Sequence, residues 1–162
     1  MISNVKDAYA LERAKKHGID HLCIENKNKK EYEAEMIRIL EEKEVDLIVL
    51  AGYMKILSEN FVDRFEQKII NIHPSLIPAF SGKGYYGLKV HEEALKRGVK
   101  ITGATVHFVT KGADEGPIII QKAVETREND TPETLQKRVM EEAEWIIYTE
   151  AINMIIQGRY KS

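Results

Sequence analysis

The stretch Asn71-Ile72-His73-Pro74-Ser75-Leu76-Ile77-Pro78 follows the apolar pair Ile69-Ile70 and determines how the rest of the chain is interpreted. It places an amide, an imidazole and a hydroxyl close together at the end of a predicted strand. Each proline fixes its own φ angle and favours extended backbone for the residue before it, so the polar groups are held in place. Ligands of α/β proteins bind at the carboxyl ends of parallel strands. The stretch is therefore a candidate site, provided that strands and helices alternate around it.

The chain before this stretch does alternate in that way. Residues 46–52 form an apolar run that ends in glycine, which is typical of a parallel strand buried on both faces. Ser58 is placed to cap a short helix, and residues 68–72 give the next strand, so these elements form one parallel βαβ unit. Further upstream we expect helices over about residues 7–17 and 28–44, with a short strand between them.

The chain after the stretch predicts a helix, two strands and a long helix. The first helix covers residues 88–97 and stops at Gly98. Residues 105–109 and 117–124 are predicted as two strands that pair antiparallel. Thr131 then caps a helix that runs to about Gly158. The predicted buried residues of this helix are Leu135, Val139, Ile146, Ile147, Ile152 and Ile155. Together these elements predict an α/β fold, a mostly parallel sheet with helices on both faces and an antiparallel C-terminal extension.

Length and composition restrict the class of protein. A chain of 162 residues suits a single domain over residues 1–162. Apolar residues make up 43%, charged residues 31%, and the formal net charge is -2, so no nucleic-acid surface is expected. The only cysteine, Cys23, is typical of a reducing compartment and excludes a thiolate cluster for zinc. No apolar run approaches ~20 residues and no signal peptide is visible, so we expect a cytoplasmic protein without membrane contact.

The polar residues of the stretch have a structural and a chemical interpretation. Asn71 and His73 can simply close a strand by bonding backbone groups, and Asp114, in a glycine-flanked turn, can be a turn former. The chemical interpretation requires the loop after residue 110 to fold over His73. An amide, an imidazole and a carboxylate would then converge, a combination that suits acyl transfer through a stabilised oxyanion.

The remaining candidates for chemistry are weaker. His107 alternates with apolar residues and is predicted to be a half-buried sheet residue. We do not expect a site role for His17, His21 or His91. No serine or cysteine is placed as an evident nucleophile, so the attacking group would come from a substrate. Direct transfer between two bound ligands is therefore the mechanism to test.

Four segments, in order and spacing, resemble the phosphoribosylglycinamide formyltransferases, the folate-dependent enzymes of purine synthesis. They are Val49-Leu50-Ala51-Gly52-Tyr53-Met54-Lys55-Ile56-Leu57, the stretch Asn71 to Pro78, Gly103-Ala104-Thr105-Val106-His107-Phe108-Val109 and Asp114-Glu115-Gly116-Pro117-Ile118-Ile119. The resemblance implies a Rossmann-like formyltransferase fold. It also implies that the amine of glycinamide ribonucleotide attacks the formyl carbon of 10-formyltetrahydrofolate, a co-substrate, without a metal.

The resemblance assigns roles to particular residues. Asn71 and His73 match the residues that stabilise the oxyanion and donate the proton, and Asp114 matches the carboxylate that supports the histidine. Glu144 matches a glutamate that holds the ribonucleotide, after a one-residue shift in the alignment. The residues matched to the folate site are Lys29, Met54, Lys55, Ile56, Leu57, Asn71, Thr110, Lys111, Gly112, Ala113 and Asp114.

Related folate enzymes and a binding module remain as alternatives. Formyltetrahydrofolate deformylase resembles this chain but typically reads Asn-Ile-His-His-Ser, whereas Pro74 fits the transferase. Methionyl-tRNA formyltransferase carries a further C-terminal domain for tRNA. The chain could also be a folate-binding module or fragment with little transfer activity.

One departure from the family motivates that last alternative. The family begins with a strand and a Gly-rich loop of the type Gly-x-Gly-Ser-Asn that holds the ribonucleotide phosphate. Ile2-Ser3-Asn4 resembles the end of the family's second strand, so we expect roughly thirty residues, one strand-helix-strand passage, to be missing in front. Without that strand, residues 47–51 would form an open apolar edge. Such an edge recruits partners, which predicts a possible homo-oligomer.

Overall fold

The computed structural model describes residues 1–25 and 28–160 and divides into two compact units, Met1–Asp46 and Leu47–Ser162. We describe each unit by itself. The single domain predicted over residues 1–162 stays a prediction, and residues 26, 27, 161 and 162 of that range lie outside the described residues.

The first unit contains two short strands and two helices. Its elements are β1 (Ile2–Ser3), α1 (Tyr9–Lys16), β2 (Leu22–Cys23) and α2 (Lys29–Glu42). The strands β1 and β2 pair in parallel. Asn28 caps α2, because its side chain accepts a hydrogen bond from the amide of Lys30 at 3.0 Å. Both predicted helices are present, with ends within about two residues of those expected.

The second unit holds a four-stranded sheet in the order β3-β4-β5-β6. Its elements are β3 (Ile48–Leu50), α3 (Glu59–Arg64), β4 (Ile69–His73), α4 (Leu88–Arg97), β5 (Ile101–Phe108), β6 (Ile118–Glu125), α5 (Pro132–Val139) and α6 (Trp145–Ile156). The strands β3 and β4 are parallel, as the predicted βαβ unit requires, whereas β4–β5 and β5–β6 are antiparallel. The α/β fold with antiparallel C-terminal strands is therefore confirmed, and its sheet is mixed.

Side chains along β4 alternate between the two faces of the sheet, so core residues and site residues project from opposite faces. Ile70 on β4 faces Phe108 on β5, and both belong to the core together with residues of α5 and α6. Successive strand residues point to opposite faces. Asn71 and His73 therefore lie on the face of the sheet opposite to this core.

Strand β3 differs from its prediction. Its apolar sequence predicts burial on both faces, but the side chain of Val49 is 40% exposed. Within the described residues β3 is the edge strand of its sheet and has a paired neighbour on one side only. That position explains why an apolar sequence is not matched by full burial.

The predicted long C-terminal helix contains a π turn, Met140–Glu144, between α5 and α6. A π turn holds more residues than an α turn and so shifts the helix face that follows it. Ala143, Ile147 and Ala151 are buried, whereas Ile146, predicted to be buried, is 47% exposed. The hydroxyl of Tyr148 lies 2.5 Å from the carbonyl of Leu50, which fixes α6 against the end of β3.

Among residues 1–25 and 28–160, no helix has both the length and the apolar character needed to cross a membrane. The cytoplasmic location expected from the sequence stays a prediction.

Candidate active site

A cavity of about 610 Å³ lies at the carboxyl end of β4. This volume is in the range of cavities that bind small molecules. The cavity is lined by all the predicted site residues of the second unit: Met54, Lys55, Ile56, Leu57, Asn71, His73, Thr110, Lys111, Gly112, Ala113, Asp114 and Glu144. Segments far apart in the sequence therefore meet at one place, as the chemical interpretation requires.

The register of the sheet sets the position of the polar side chains. Asn71 pairs with His107 across β4 and β5, and His73 pairs with Thr105. Residues directly opposite each other, and residues two apart on one strand, project from the same face. Asn71, His73 and His107 consequently share one face of the sheet.

Asp114 lies between two buried histidines. Its Oδ2 is 3.4 Å from Nδ1 of His73, and its Oδ1 is 3.6 Å from Nε2 of His107. The amide of Gly82 also donates a hydrogen bond to Oδ2 at 2.8 Å. Asp114 has a left-handed backbone with φ of 59°, which few residues other than glycine adopt. The loop after β5 thus does fold over His73, as the chemical interpretation supposes.

Burial and neighbouring polar groups have opposite effects on the pKa values of His73 and Asp114. Burial lowers the pKa of His73, while Asp114 and the carbonyl of Phe80 partly offset that effect. Burial alone would raise the pKa of Asp114, but contact with His107, the charge of His73 and the amide of Gly82 bring its pKa below the usual value. The His107 contact, at 3.6 Å, is longer than a hydrogen bond, so its effect is electrostatic.

Glu144 enters the cavity from the π turn, together with Met140 and Gln136 on the preceding helix. Its side chain is half-buried, and burial raises the pKa of its carboxyl to about 7. Shifted carboxyls of this kind are concentrated at functional sites.

Sequence reasoning missed two histidines of the cavity wall, His91 and His107. His107 is 2% exposed, which makes it a buried residue and not the half-buried one expected. The strand register with Asn71 would have pointed to it, but the register is not visible in the sequence. His91 on α4 is fully buried, and neither ring nitrogen has a hydrogen-bond partner among the described residues. Burial, with a smaller effect from His73, lowers its pKa to about 4.

Lys29 is the one predicted site residue of the first unit. It is the first residue of α2, and its amine lies 3.8 Å from the carboxylate of Glu33. Its role at a folate site stays a prediction. No group of three or more His, Cys, Asp or Glu residues in the described parts of the chain could hold a metal ion.

The geometry supports acyl-transfer chemistry. Asn71 and His73 can donate hydrogen bonds to one developing negative charge, and Asp114 can stabilise a protonated His73. None of the cavity-lining residues places a serine or cysteine next to His73 as a nucleophile. The arrangement suits the transfer of a group between two ligands.

The sequence pattern of the Formyl transferase family matches residues 1–152. This chain therefore belongs to the formyl transferase family. Within it, the chain is 42% identical over 142 residues to phosphoribosylglycinamide formyltransferase of Bacillus subtilis, covering 86% of this chain and 70% of that enzyme. It is also similar to glycinamide ribonucleotide transformylase 1 of Symbiobacterium toebii, whose crystal structure matches with a TM-score of 0.90 and 44% identity, over 99% of this chain and 74% of that one.

A plant relative shows how much of a longer protein the chain spans. The chloroplastic phosphoribosylglycinamide formyltransferase of Arabidopsis thaliana is 39% identical over 165 residues. That match covers 99% of this chain and 56% of the relative. The chain thus spans little more than half the length of this protein.

Proposed function

We propose that this chain transfers the formyl group of 10-formyltetrahydrofolate to the amine of glycinamide ribonucleotide, a step of purine synthesis. The observation that carries the proposal is the contact of 3.4 Å between His73 and Asp114 inside a cavity that Asn71 also lines. The names of the similar bacterial proteins support the choice of substrates.

The proposed reaction exchanges one bond for another at the formyl carbon. The ribonucleotide amine attacks this carbon and forms a C–N bond, and the formyl oxygen becomes an oxyanion. Asn71 donates a hydrogen bond to that oxygen, and protonated His73 donates one through its Nδ1–H. The bond between the formyl carbon and the folate nitrogen then breaks. The amine loses one proton and the folate nitrogen gains one, with His73 as the proton carrier and Asp114 stabilising its charged form.

The two substrates divide the cavity in this proposal. Residues 54–57 and 110–113 line it and are proposed to contact the pterin through backbone groups. The family resemblance also assigns Lys29 to the folate. Glu144 is proposed to accept hydrogen bonds from the ribonucleotide. These assignments are proposals that rest on the family resemblance and on the residues lining the cavity.

A transfer assay with purified protein tests the proposal. The protein is mixed with 10-formyltetrahydrofolate, and loss of the formyl group is followed with and without glycinamide ribonucleotide. Loss that depends on the ribonucleotide and produces formylglycinamide ribonucleotide is the expected result. Transfer activity in His73→Ala and Asp114→Asn equal to that of the unsubstituted chain would contradict the assigned roles.

The same assay separates the alternatives. Release of formate without ribonucleotide would identify a deformylase, in which water replaces the amine. Folate binding with neither reaction would identify a binding module. Calorimetry with the ribonucleotide alone distinguishes the binding module from the transferase, because the module should bind the ribonucleotide weakly.

One further expectation of the sequence stays a proposal. Pairing of a second copy along β3 is proposed because β3 is the edge strand of the described sheet. Light scattering at increasing protein concentration tests this pairing, and a constant monomer mass would contradict it.

A further inference from the structure

A short segment, Ala79–Gly82, contacts both members of the His73–Asp114 pair; we refer to it as the strap. The carbonyl of Phe80 accepts a hydrogen bond from Nε2 of His73 at 2.8 Å. Two residues later, the amide of Gly82 donates to Asp114 at 2.8 Å. Backbone groups of one segment therefore hold the imidazole and the carboxylate together.

The strap has a defined conformation. The buried hydroxyl of Ser75 donates a hydrogen bond to the carbonyl of Ala79 at 2.5 Å. The hydroxyl of Ser81 donates a hydrogen bond to the carbonyl of Pro78 at 3.0 Å. Phe80 itself is left-handed, with φ of 49°. This conformation is unfavourable for a residue with a bulky side chain, and such strain is concentrated at functional sites. The direction of the Phe80 carbonyl depends on it.

The contact with Phe80 determines which nitrogen of His73 carries the hydrogen. A carbonyl oxygen only accepts hydrogen bonds, so Nε2 must be the protonated nitrogen. A neutral imidazole has a single N–H, which leaves Nδ1 with a free lone pair. Nδ1 is the nitrogen that lies 3.4 Å from Asp114. A proton taken up by His73 therefore enters at Nδ1, where the carboxylate stabilises it.

We infer that the strap positions the His73–Asp114 pair. The left-handed backbone of Phe80 keeps the hydrogen on Nε2 of His73 and leaves Nδ1 for proton exchange. This inference rests on the proposed formyl transfer for its role in catalysis. Without the strap, the other tautomer would compete, with hydrogen on Nδ1 toward Asp114. A wrong tautomer of a catalytic histidine strongly lowers turnover even when the geometry is intact.

Two substitutions at Phe80 separate its backbone from its side chain. Phe80→Val and Phe80→Asn both remove the ring, which packs against Tyr85 with centroids 6.3 Å apart. Asparagine tolerates the left-handed conformation, whereas the β-branched valine does not. Glu44→Val introduces the same backbone conflict at a left-handed residue of the first unit, with φ of 48°, and serves as the matched control.

The tautomer is measured by ¹⁵N NMR on histidine-labelled protein, with the His73 signals assigned by their loss in His73→Gln. We expect hydrogen on Nε2 of His73 in the unsubstituted chain, in Phe80→Asn and in Glu44→Val, and a mixture of tautomers in Phe80→Val. In the transfer assay, kcat of Phe80→Val should fall about tenfold further than that of Phe80→Asn, with KM for the folate similar in both. Ser75→Ala, which removes the hydroxyl contacts to the Ala79 and Phe80 carbonyls, should shift the tautomer in the same direction as Phe80→Val.

Several results would overturn the inference. These are hydrogen on Nδ1 in the unsubstituted chain, the same tautomer in Phe80→Val and Phe80→Asn, or a loss of kcat that is equal in both. If Phe80→Val does not fold, the ¹⁵N spectrum of Ser75→Ala tests the inference instead, and an unchanged His73 tautomer in that variant would overturn it. The NMR result does not require turnover. An inactive chain with hydrogen on Nε2 would therefore contradict the proposed function while leaving the positioning by the strap in place.

Discussion

His107 lies directly opposite Asn71 in the antiparallel pair of β4 and β5. The two side chains share a face of the sheet, and the loop that follows β5 brings Asp114 to within 3.6 Å of His107 and 3.4 Å of His73. A carboxylate held between two buried imidazoles has little freedom to turn away. The strand register thus fixes the geometry on which the proposed chemistry depends.

Replacement of Asp114 tests the electrostatic role of this carboxylate. Asp114 raises the pKa of His73 against the effect of burial, so Asp114→Asn should lower that pKa further. Because less His73 is then protonated and its charged form is less stable, kcat should fall on the order of 10²- to 10³-fold. NMR titration of His73 and the transfer assay check both effects. Asp20→Asn, at an exposed carboxylate that pairs with Lys43, is the control and should leave both values unchanged.

Glu144 predicts a pH dependence for ribonucleotide binding. Burial raises the pKa of its carboxyl to about 7, so the ionised fraction grows as the pH rises through neutrality. A carboxylate accepts hydrogen bonds from hydroxyl groups more strongly than a neutral carboxyl does. Ribonucleotide affinity should therefore increase between about pH 6 and 8. Calorimetry should show this increase in the unsubstituted chain and not in Glu144→Gln. An unchanged pH profile in Glu144→Gln would exclude the carboxyl as its source.

His91 predicts a loss of stability in acid. Its pKa is about 4 in the folded protein, lowered from 6.5 by burial, so between these values the unfolded state binds more protons. The free energy of unfolding should fall as the pH decreases from 6.5 to 4, by up to about 3 kcal/mol from this residue. Urea unfolding at several pH values measures the slope. His91→Phe should reduce the slope, whereas His17→Phe, at an exposed histidine, should retain it.

Two glycines of the loop after β5 should respond differently to alanine. A Cβ atom at Gly116 would lie 1.7 Å from the backbone carbonyl oxygen of Phe108, which cannot move away without displacing β5. At Gly112 the obstacle, 1.9 Å away, is the carboxylate of Glu115, the end of a flexible side chain. We expect Gly116→Ala to lower the free energy of unfolding by about 3 kcal/mol and Gly112→Ala by less than about 1 kcal/mol. Equal losses in thermal unfolding would contradict this interpretation.

Features with local causes were predictable from the sequence. The helix α4 covers Leu88–Arg97 and ends at a left-handed Gly98, as predicted, because the glycine signal is contained in the residues themselves. Ser58 and Thr131 cap their helices through hydrogen bonds to backbone amides three residues later. The βαβ unit and the antiparallel pair of β5 and β6 followed from hydrophobic patterning.

Features with distant causes were not predictable. The sequence gives no signal that His91 is buried in a cavity wall, since the charged residues around it on α4 indicate an ordinary exposed helix. The single long helix predicted after Thr131 contains a π turn, and around this turn Ala143 and Ile147 lie in the core while Glu144 lines the cavity. These outcomes depend on packing partners that are remote in the chain.

The sequence by itself determined the order of strands and helices, the caps, and the motif that contains Asn71 and His73, because propensity, capping and periodicity act over a few residues. Only the tertiary structure decided that Asp114 faces both His73 and His107, and that the strap keeps hydrogen on one nitrogen of His73. Those relationships join residues up to 41 positions apart, as between His73 and Asp114. They depend on strand register and backbone direction, which arise only when the sheet has formed.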